Sequence, residues 1–318
     1  MSDLARVIVL AGGLSPEREV SLRSGARVAE ALRRTGVEAE LRDIDGDLLP
    51  ALAADPPDAA FPVLHGAPGE DGMAREVLEL AGVPYVGARP DACRSTFDKS
   101  VAKDLLGRAG LPTPKSVTLP REAFHDLGAA ALVDRVTAVL GLPLFVKPRA
   151  GGSAFGVTRV EDAARLPEAL MACFAYHDQA LIERCVAGTE IAVAVADLGD
   201  GAGPRALPAV EIAPVGEGIY DYTARYTAGA VDFYAPARIS AEAAEEAARI
   251  AVEAHVALGL RDLSRTDLIV DQEGRPQVLE TNVAPGMVET STYPIALAAA
   301  GIDFGEFCRT LCEVAVQR

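Results

Sequence analysis

The sequence predicts an α/β protein. Three features carry that expectation: short apolar runs alternate with helical stretches through the first 90 residues, glycine-rich turns follow the apolar runs, and an apolar-flanked polar hairpin lies late in the chain. Alternating strands and helices fold as a parallel sheet covered by helices, and ligands on such sheets collect at the carboxyl ends of the strands. At 318 residues the chain has room for two or three domains with ample cores.

The run Val7-Ile8-Val9-Leu10 follows an acidic residue and ends at Gly12-Gly13, so it reads as a buried strand and not as a signal peptide. Residues 15–34 read as a helix with Ser15 as N-cap and Pro16 at the first helical position; Glu17 and Glu19 then sit where the helix dipole favours negative charge. Capping alone accounts for both glutamates. Strands follow at 39–42 and 60–64, the second running into His65-Gly66-Ala67-Pro68-Gly69-Glu70-Asp71-Gly72. A helix over 73–81 and a short strand over 83–87 close a first domain, residues 1–89.

A second unit, 90–183, holds a helix over 99–109, the breaker Leu111-Pro112-Thr113-Pro114, a helix over 129–140 and an apolar strand over 143–148 that carries Lys147 near its end. The turn after it, Gly151-Gly152-Ser153-Ala154-Phe155-Gly156, brings backbone N–H groups within reach of a phosphate, although hairpin loops are glycine-rich for turn geometry alone. It matches neither the Walker A loop, whose lysine follows the glycines, nor the dinucleotide fingerprint. A lysine at the end of an apolar strand is otherwise a snorkelling edge residue. Strands at 180–183 and 190–195 bracket a short linker, 184–189, that suits a hinge. The third unit, 184–318, contains the segment 206–212, a tyrosine-rich loop over 220–226, an alanine-rich helix over 241–258, the hairpin, and a C-terminal helix from Asp303.

The hairpin carries most of the functional information. If Ser264-Arg265-Thr266-Asp267-Leu268-Ile269 and Gln277-Val278-Leu279-Glu280-Thr281-Asn282 join through the loop 272–275, Asp271 pairs with Pro276, Asp267 falls opposite Glu280 and Arg265 opposite Asn282. Strand side chains alternate, so all four point to one side. Two carboxylates directly across a ladder repel unless a cation sits between them, and the oxygen-only set Asp267, Glu280 and Asn282 suits Mg2+. Arg265 beside it suits an anionic substrate group. A solvated polar face is the alternative; the flanking Leu268, Val270, Val278 and Leu279 mark the strands as core-packed and favour the metal.

A formal net charge of -16 argues against non-specific binding to nucleic acid or an anionic membrane. No apolar stretch approaches membrane-spanning length. Cys93, Cys173, Cys185, Cys308 and Cys312 are scattered, odd in number and without metal-like spacing, which fits core-packed, reduced thiols in a cytoplasm.

Lys99, Lys147, the glycine-rich strand connection, Glu183, Asp267, Glu280 and Asn282, in that order, resemble the ATP-grasp superfamily, and within it the D-alanine:D-alanine ligases. The resemblance runs end to end, through 10–21, Leu64-His65-Gly66, Gly69-Glu70-Asp71-Gly72, Asp98-Lys99, Val146-Lys147-Pro148, Tyr220-Asp221-Tyr222 and 280–287. It implies an ATP-grasp fold of three domains, an N-terminal parallel α/β sheet domain followed by two α+β domains enclosing ATP. It further implies ATP and two Mg2+ ions, with Mn2+ as a substitute, held by Asp267, Glu280 and Asn282. Lys99 and Lys147 would touch phosphates, and the lid over 149–156, with Gly152 and Ser153, would close on them. Glu183 and the backbone near Val186 would meet adenine, and Glu190 ribose.

The reaction implied is an ADP-forming ligation. ATP phosphorylates one amino acid's carboxylate, the amine of a second attacks the acyl phosphate, and phosphate leaves a tetrahedral intermediate whose charge meets Arg265 and the Gly286 N–H. Glu17, backed by Ser153 and Tyr226, would fix the first amine; Ser291 and Arg265 would receive the second carboxylate. His65 would lie near the first substrate, with a structural hydrogen-bonding role as its alternative. The resemblance implies a D-alanyl-D-alanine product for peptidoglycan, small-molecule substrates and a homodimer.

Several residues depart from the family pattern. The lid usually reads Glu-Gly-Ser-Ser-Val-Gly, so Gly151 and Ala154 lack a carboxylate and a hydroxyl, and Phe155 adds an aromatic ring. Arg225 stands where a lysine is usual. Thr292 replaces an apolar wall of the second-substrate pocket, which suits a more polar acceptor such as D-serine, or a natural-product substrate. Retention of Tyr226 speaks against a D-lactate-using ligase. A nucleotide-binding module without turnover is the remaining rival, and it has no need of an oxyanion donor such as Arg265.

Overall fold

The computed structural model describes residues 4–215 and 229–318; the tyrosine-rich loop, with Arg225 and Tyr226, lies outside them. Strands β1 (Arg6–Leu10), β2 (Glu38–Arg42) and β3 (Ala59–Pro62) form a parallel sheet in the order β2-β1-β3. The period-two alternation of a strand is visible in β1, which is buried on both faces: Ile8 and Leu10 pack with Leu48, Leu52 and Leu78, while Val7 and Val9 pack with Val28, Leu32, Phe307 and Leu311. Fully burying a side chain such as Leu311 or Phe307 contributes about 1.5–3 kcal/mol, so the C-terminal helix Phe304–Val316 is held on the N-terminal sheet by apolar burial.

Two details of this region differ from the sequence expectation. The first helix spans Arg18–Arg34 and starts three residues later than expected; Ser15 Oγ accepts the Glu17 N–H at 3.2 Å and donates to the His65 carbonyl at 2.7 Å, so it anchors the turn that leads into the helix. Residues 83–87 form no strand; only Tyr85 bridges to Ala60.

A second sheet is antiparallel, with β4 (Ser116–Pro120), β5 (Leu144–Pro148), β6 (Thr158–Val160) and β7 (Gln179–Arg184) in the order β4-β7-β5-β6. The glycine-rich turn joins β5 to β6, as expected. The third sheet contains β8 (Gly188–Ala196), β9 (Arg205–Ala206), β10 (Val210–Pro214), β11 (Val231–Tyr234), β12 (Leu263–Asp271) and β13 (Pro276–Asn282). Its order is β11-β10-β8-β12-β13, with β9 paired to β8. The connection between β7 and β8 is only 185–187, shorter than the linker read from the sequence.

The third sheet is covered on one face by the helix Ala241–Ala257, whose Ala247, Ile250, Ala251 and Ala254 meet Ile191, Val193, Leu268 and Val270. Helices Pro90–Phe97 and Lys99–Arg108 share that core through Ala92, Cys93, Ala102 and Leu106. Its other face, at Ala194, Ala196 and Val210, joins the core shared with the N-terminal sheet. A cleft is left between the second and third sheets, and its floor is where the polar hairpin emerges. All five cysteines are free, and only Cys185 is less than fully buried.

Candidate active site

Strands β12 and β13 pair with Arg265 opposite Asn282, Thr266 opposite Thr281 and Asp267 opposite Glu280, the register expected at the functional end. The turn end differs. Val270, not Asp271, pairs with Pro276, and the ladder shifts by one residue between Asp267 and Leu268. Leu279 is the extra residue of this bulge; it lines the cleft instead of packing in the core beside the buried Leu268 and Val278. A loop one residue longer than expected and a bulge of one residue cancel, which is why the acid pair still meets.

Each of the two carboxylates faces a cation. Arg265 donates from Nε and Nη2 to Asp267 at 2.7 and 2.8 Å, a bidentate pair that fixes the plane of a buried guanidinium. Lys99 Nζ lies 3.2 Å from Glu280 and donates to the Gly151 carbonyl at 2.5 Å, linking the metal-type hairpin to the lid. Asn282 Oδ1 accepts the Ala284 N–H at 2.7 Å. Among the described residues no group of three His, Cys, Asp or Glu side chains is drawn together as a metal cluster; the third oxygen donor beside the acid pair is an amide. Arg265 and Lys99 answer the repulsion of the acid pair, and the donor set itself, two carboxylates and an amide oxygen on one ladder, is of the oxygen-only kind that a hard divalent ion takes.

The Glu17 carboxylate lies between two glycines, since a Cβ on Gly66 or Gly152 would stand 2.8 or 3.0 Å from its oxygen. Ser153 Oγ donates to Glu17, joining the lid to the N-terminal helix. Ser153 and Ala154 both hold positive φ, 49° and 57°, a conformation that costs most residues about 1–2 kcal/mol. The base of the lid is tied separately: Asp98 caps the helix Lys99–Arg108 and receives both Arg149 Nε contacts at 2.7–2.8 Å. Burial alone would raise the Asp98 pKa, but Arg149, Ser100 and the helix amide of Val101 together lower it.

His65 is 5% exposed, and both ring nitrogens are engaged, Nδ1 with the Ala284 carbonyl at 3.0 Å and Nε2 with Ser24 Oγ at 3.3 Å. Burial pushes its pKa down to about 4, aided by Arg265, so the ring is neutral and Nδ1 carries the proton toward the carbonyl. It lines the same cavity as Glu17, Ser153, Arg265, Gly286, Ser291 and Thr292. A Cβ at Gly286 would come 2.7 Å from Ser291 Oγ, so the Ser291 hydroxyl lies directly against the backbone of this turn.

The neighbouring cleft, a cavity of about 540 Å³, is lined by Lys147, Gly152, Glu183, Val186 and Glu190 as well as Asp267 and Glu280. That is a volume typical of small-molecule sites. Glu183 is 2% exposed and bridges two lysines, accepting from Lys147 at 2.5 Å and from Lys103 at 3.0 Å. Burial opposes every charge in this trio; it leaves Lys103 lowered, while the opposed charges outweigh it at Glu183, lowered, and at Lys147, raised.

The chain's likeness to known proteins agrees with this geometry. The family model described as D-ala D-ala ligase C-terminus matches residues 105–313. A D-alanine–D-alanine ligase of Anaeromyxobacter sp. (strain Fw109-5) is 41% identical over 308 residues, covering 97% of this chain and 96% of the relative. The chain belongs to the D-alanine–D-alanine ligase family. Among solved structures, the D-alanine–D-alanine ligase of Bacillus anthracis superposes with a TM-score of 0.83 at 29% identity, covering 98% of both chains. A D-alanine–D-alanine ligase from Bacillus anthracis complexed with ATP gives 0.81 at 26%, again over 98% of both. The VanG D-Ala:D-Ser ligase of Enterococcus faecalis gives 0.82 at 28%, over 98% of this chain and 100% of that one. The fold is that of the ATP-grasp ligases, as the order of motifs implied.

Two site residues of this ligase-family chain escaped the sequence reading. Lys103 lies one helical turn after Lys99, and the four-residue spacing was the available signal for a second lysine on that face. Glu70 is 6% exposed and lines the cavity with Glu17; burial first, then the Glu17 charge, raise its pKa to about 8, against a hydrogen bond with Asn282. Its motif, Gly69-Glu70-Asp71-Gly72, marked the loop without singling out the side chain.

Proposed function

We propose that the protein is an ADP-forming ligase that joins two D-alanines into D-alanyl-D-alanine for peptidoglycan synthesis, working in a bacterial cytoplasm as a homodimer. The observation that carries this reading is the junction of two cavities at one hairpin: Asp267 and Glu280 line both the cleft holding Lys147 and Glu183 and the smaller cavity holding Glu17, Arg265 and Gly286. A phosphoryl donor on one side and an amino acid on the other would meet there.

Bound ATP would supply the phosphoryl group that activates the first carboxylate, and two Mg2+ ions, or Mn2+ in their place, would neutralise the phosphates. Asp267, Glu280 and Asn282 are the residues to hold the ions. Lys99 and Lys147 reach the phosphates, Gly152 and Ser153 cover them, Glu183 and Val186 flank the base and Glu190 the ribose. Glu17, oriented by Ser153, holds the first ammonium beside a neutral His65 that does not repel it, the family pattern adding the Tyr226 hydroxyl to this role. Arg265, its plane set by Asp267, and the Gly286 N–H stand where the tetrahedral intermediate becomes negative. Ser291 receives the second carboxylate, and the buried Thr292 hydroxyl lines the acceptor side.

The test follows Mg2+-dependent ADP release with D-alanine, D-serine, D-lactate and L-amino acids, with products identified by mass. D-alanyl-D-alanine is the expected product; ADP release with none of these acceptors would remove the reading. A Thr292→Leu variant removes a hydroxyl from the acceptor pocket and is expected to shift preference further towards D-alanine by about tenfold over D-serine. An unchanged product ratio would clear Thr292 of any part in selection.

A further inference from the structure

The helix Arg18–Arg34 presents more than Glu17 to the site. At the helical spacing of 21, 24 and 27, three polar side chains reach three different loops. Ser21 Oγ accepts the Gly12 N–H at 2.9 Å and donates to the Val63 carbonyl at 2.7 Å, which secures the N-terminal sheet itself. Ser24 and Arg27 instead cross to the loop after β13. Ser24 Oγ accepts the Met287 N–H at 3.1 Å, and Arg27 Nη1 donates to the Met287 carbonyl at 2.6 Å. One residue, 263 positions away from Ser24, therefore has both of its backbone polar groups held by a single helix. The guanidinium of Arg27 is itself held over the Phe304 ring, 4.1 Å from the centroid, and the Met287 side chain is buried in the shared core at 1% exposure.

Met287 follows Gly286 directly, and Gly286 already packs so closely that a Cβ would stand 2.7 Å from Ser291 Oγ. With the 286–287 amide N–H and the 287–288 carbonyl both held, the chain is fixed on the C-terminal side of Gly286, which restrains the ψ rotation there. We propose that Ser24 and Arg27 are positioning residues that fix the two peptide groups flanking Met287 Cα and, by anchoring the chain immediately after Gly286, aim the Gly286 N–H at the charge that develops when the second amine adds. This deepens the ligase reading and rests on it. Donors aimed at a transition state help only if they need not reorganise, so a clamp outside the cavity contributes to turnover without touching substrate. Ser24 also engages His65, whereas Arg27 neither lines the cavity nor bonds the His65 ring, which makes Arg27 the cleaner probe.

The experiment compares Arg27→Met, Arg27→Lys and Ser24→Ala with the wild-type protein. It measures kcat, KM for ATP, D-alanine binding, and binding of a phosphinate analogue of the dipeptide, whose tetrahedral phosphorus mimics the addition intermediate. For Arg27→Met, kcat is expected to fall about 10- to 100-fold and phosphinate affinity by the same factor, with KM for ATP and D-alanine binding changed less than about threefold. Arg27→Lys, which keeps a donor, should recover most of that loss. A fall in kcat with phosphinate affinity intact, or no fall in kcat, overturns the proposal. Should Ser24→Ala not fold, the half-buried Arg27 pair decides alone by the same criteria. Wild-type protein that forms no dipeptide would instead be a failure of the ligase reading, so the two are distinguished before any variant is scored.

Discussion

At Glu280 a single carboxylate joins three parts of the site. It lies across the ladder from Asp267, 3.2 Å from Lys99, and through that lysine it is connected to the lid carbonyl of Gly151. Glu280→Gln keeps shape and removes charge, so turnover of Mg2+-ATP is expected to fall by about 100-fold or more while the urea midpoint stays near that of the wild type. Turnover at the wild-type rate in steady-state ADP release would sink the metal assignment. Lys103 makes the opposite case, a residue whose loss acts through folding and nucleotide affinity together. Lys103→Met leaves one oxygen of a buried Glu183 without its lysine, which is expected to cost about 1–3 kcal/mol in urea unfolding and to raise KM for ATP more than it lowers kcat.

Elements show where the sequence was legible and where it was not. The parallel N-terminal sheet, the helix Ala241–Ala257 and the polar hairpin follow from apolar runs and helix-forming composition, and they are present. The first helix begins later than Ser15 implies because this serine serves the turn before it, accepting the Glu17 N–H while donating to the His65 carbonyl, and that tertiary contact leaves no mark in the local sequence. The bulge at Leu279 had no local signal at all: an apolar residue in an apolar strand looks the same whether it packs in the core or turns into a cleft. Of the candidate residues, those on the hairpin were readable from period-two alternation. Glu70, Lys103, Ser24 and Arg27 were not, since their significance comes from partners more than 70 residues away or from burial.

The lid is the element with most departures from its family, and its geometry suggests how they are offset. Phe155 stacks on Tyr176 with ring centroids 5.8 Å apart, an arrangement worth about 0.5–1.5 kcal/mol. Gly156, at φ 67°, has no space for a Cβ, which would come 2.8 Å from the Tyr176 ring. Phe155→Ala is therefore expected to loosen the lid. KM for ATP should rise several-fold, and proteolytic cleavage between 149 and 156 should quicken without nucleotide and slow when ATP is added. An unchanged cleavage pattern would mean that the aromatic pair does not hold this loop.

For the molecule as a whole, stability against pH follows from imidazoles buried in different layers. His65 and His255 are 5% and 1% exposed, and burial lowers both to about 4 from an ordinary 6.5. His255 Nδ1 meets Ser264 Oγ at 2.8 Å while its Nε2 has no partner, so the folded site offers a second proton no acceptor. As pH falls below 6.5 the unfolded chain takes up protons that the folded chain refuses. Stability is thus fully present above 6.5 and is lost as pH falls towards 4, by about 3 kcal/mol for each histidine. Glu70, held protonated up to about 8, works with the opposite sign and offsets roughly one histidine over the same interval. Carboxylates lowered by partners, such as Glu183 and Asp98, begin to cost stability only below their ordinary 4.5 and 3.8, so between 6.5 and 4.5 the two buried imidazoles are opposed by Glu70 and not joined by these carboxylates. Urea unfolding should accordingly show a net loss on the order of 3 kcal/mol between those pH values. In His255→Gln the remaining histidine and Glu70 nearly cancel, and the profile should flatten. An equally steep acid limb in that variant would place the sensitivity elsewhere in the molecule.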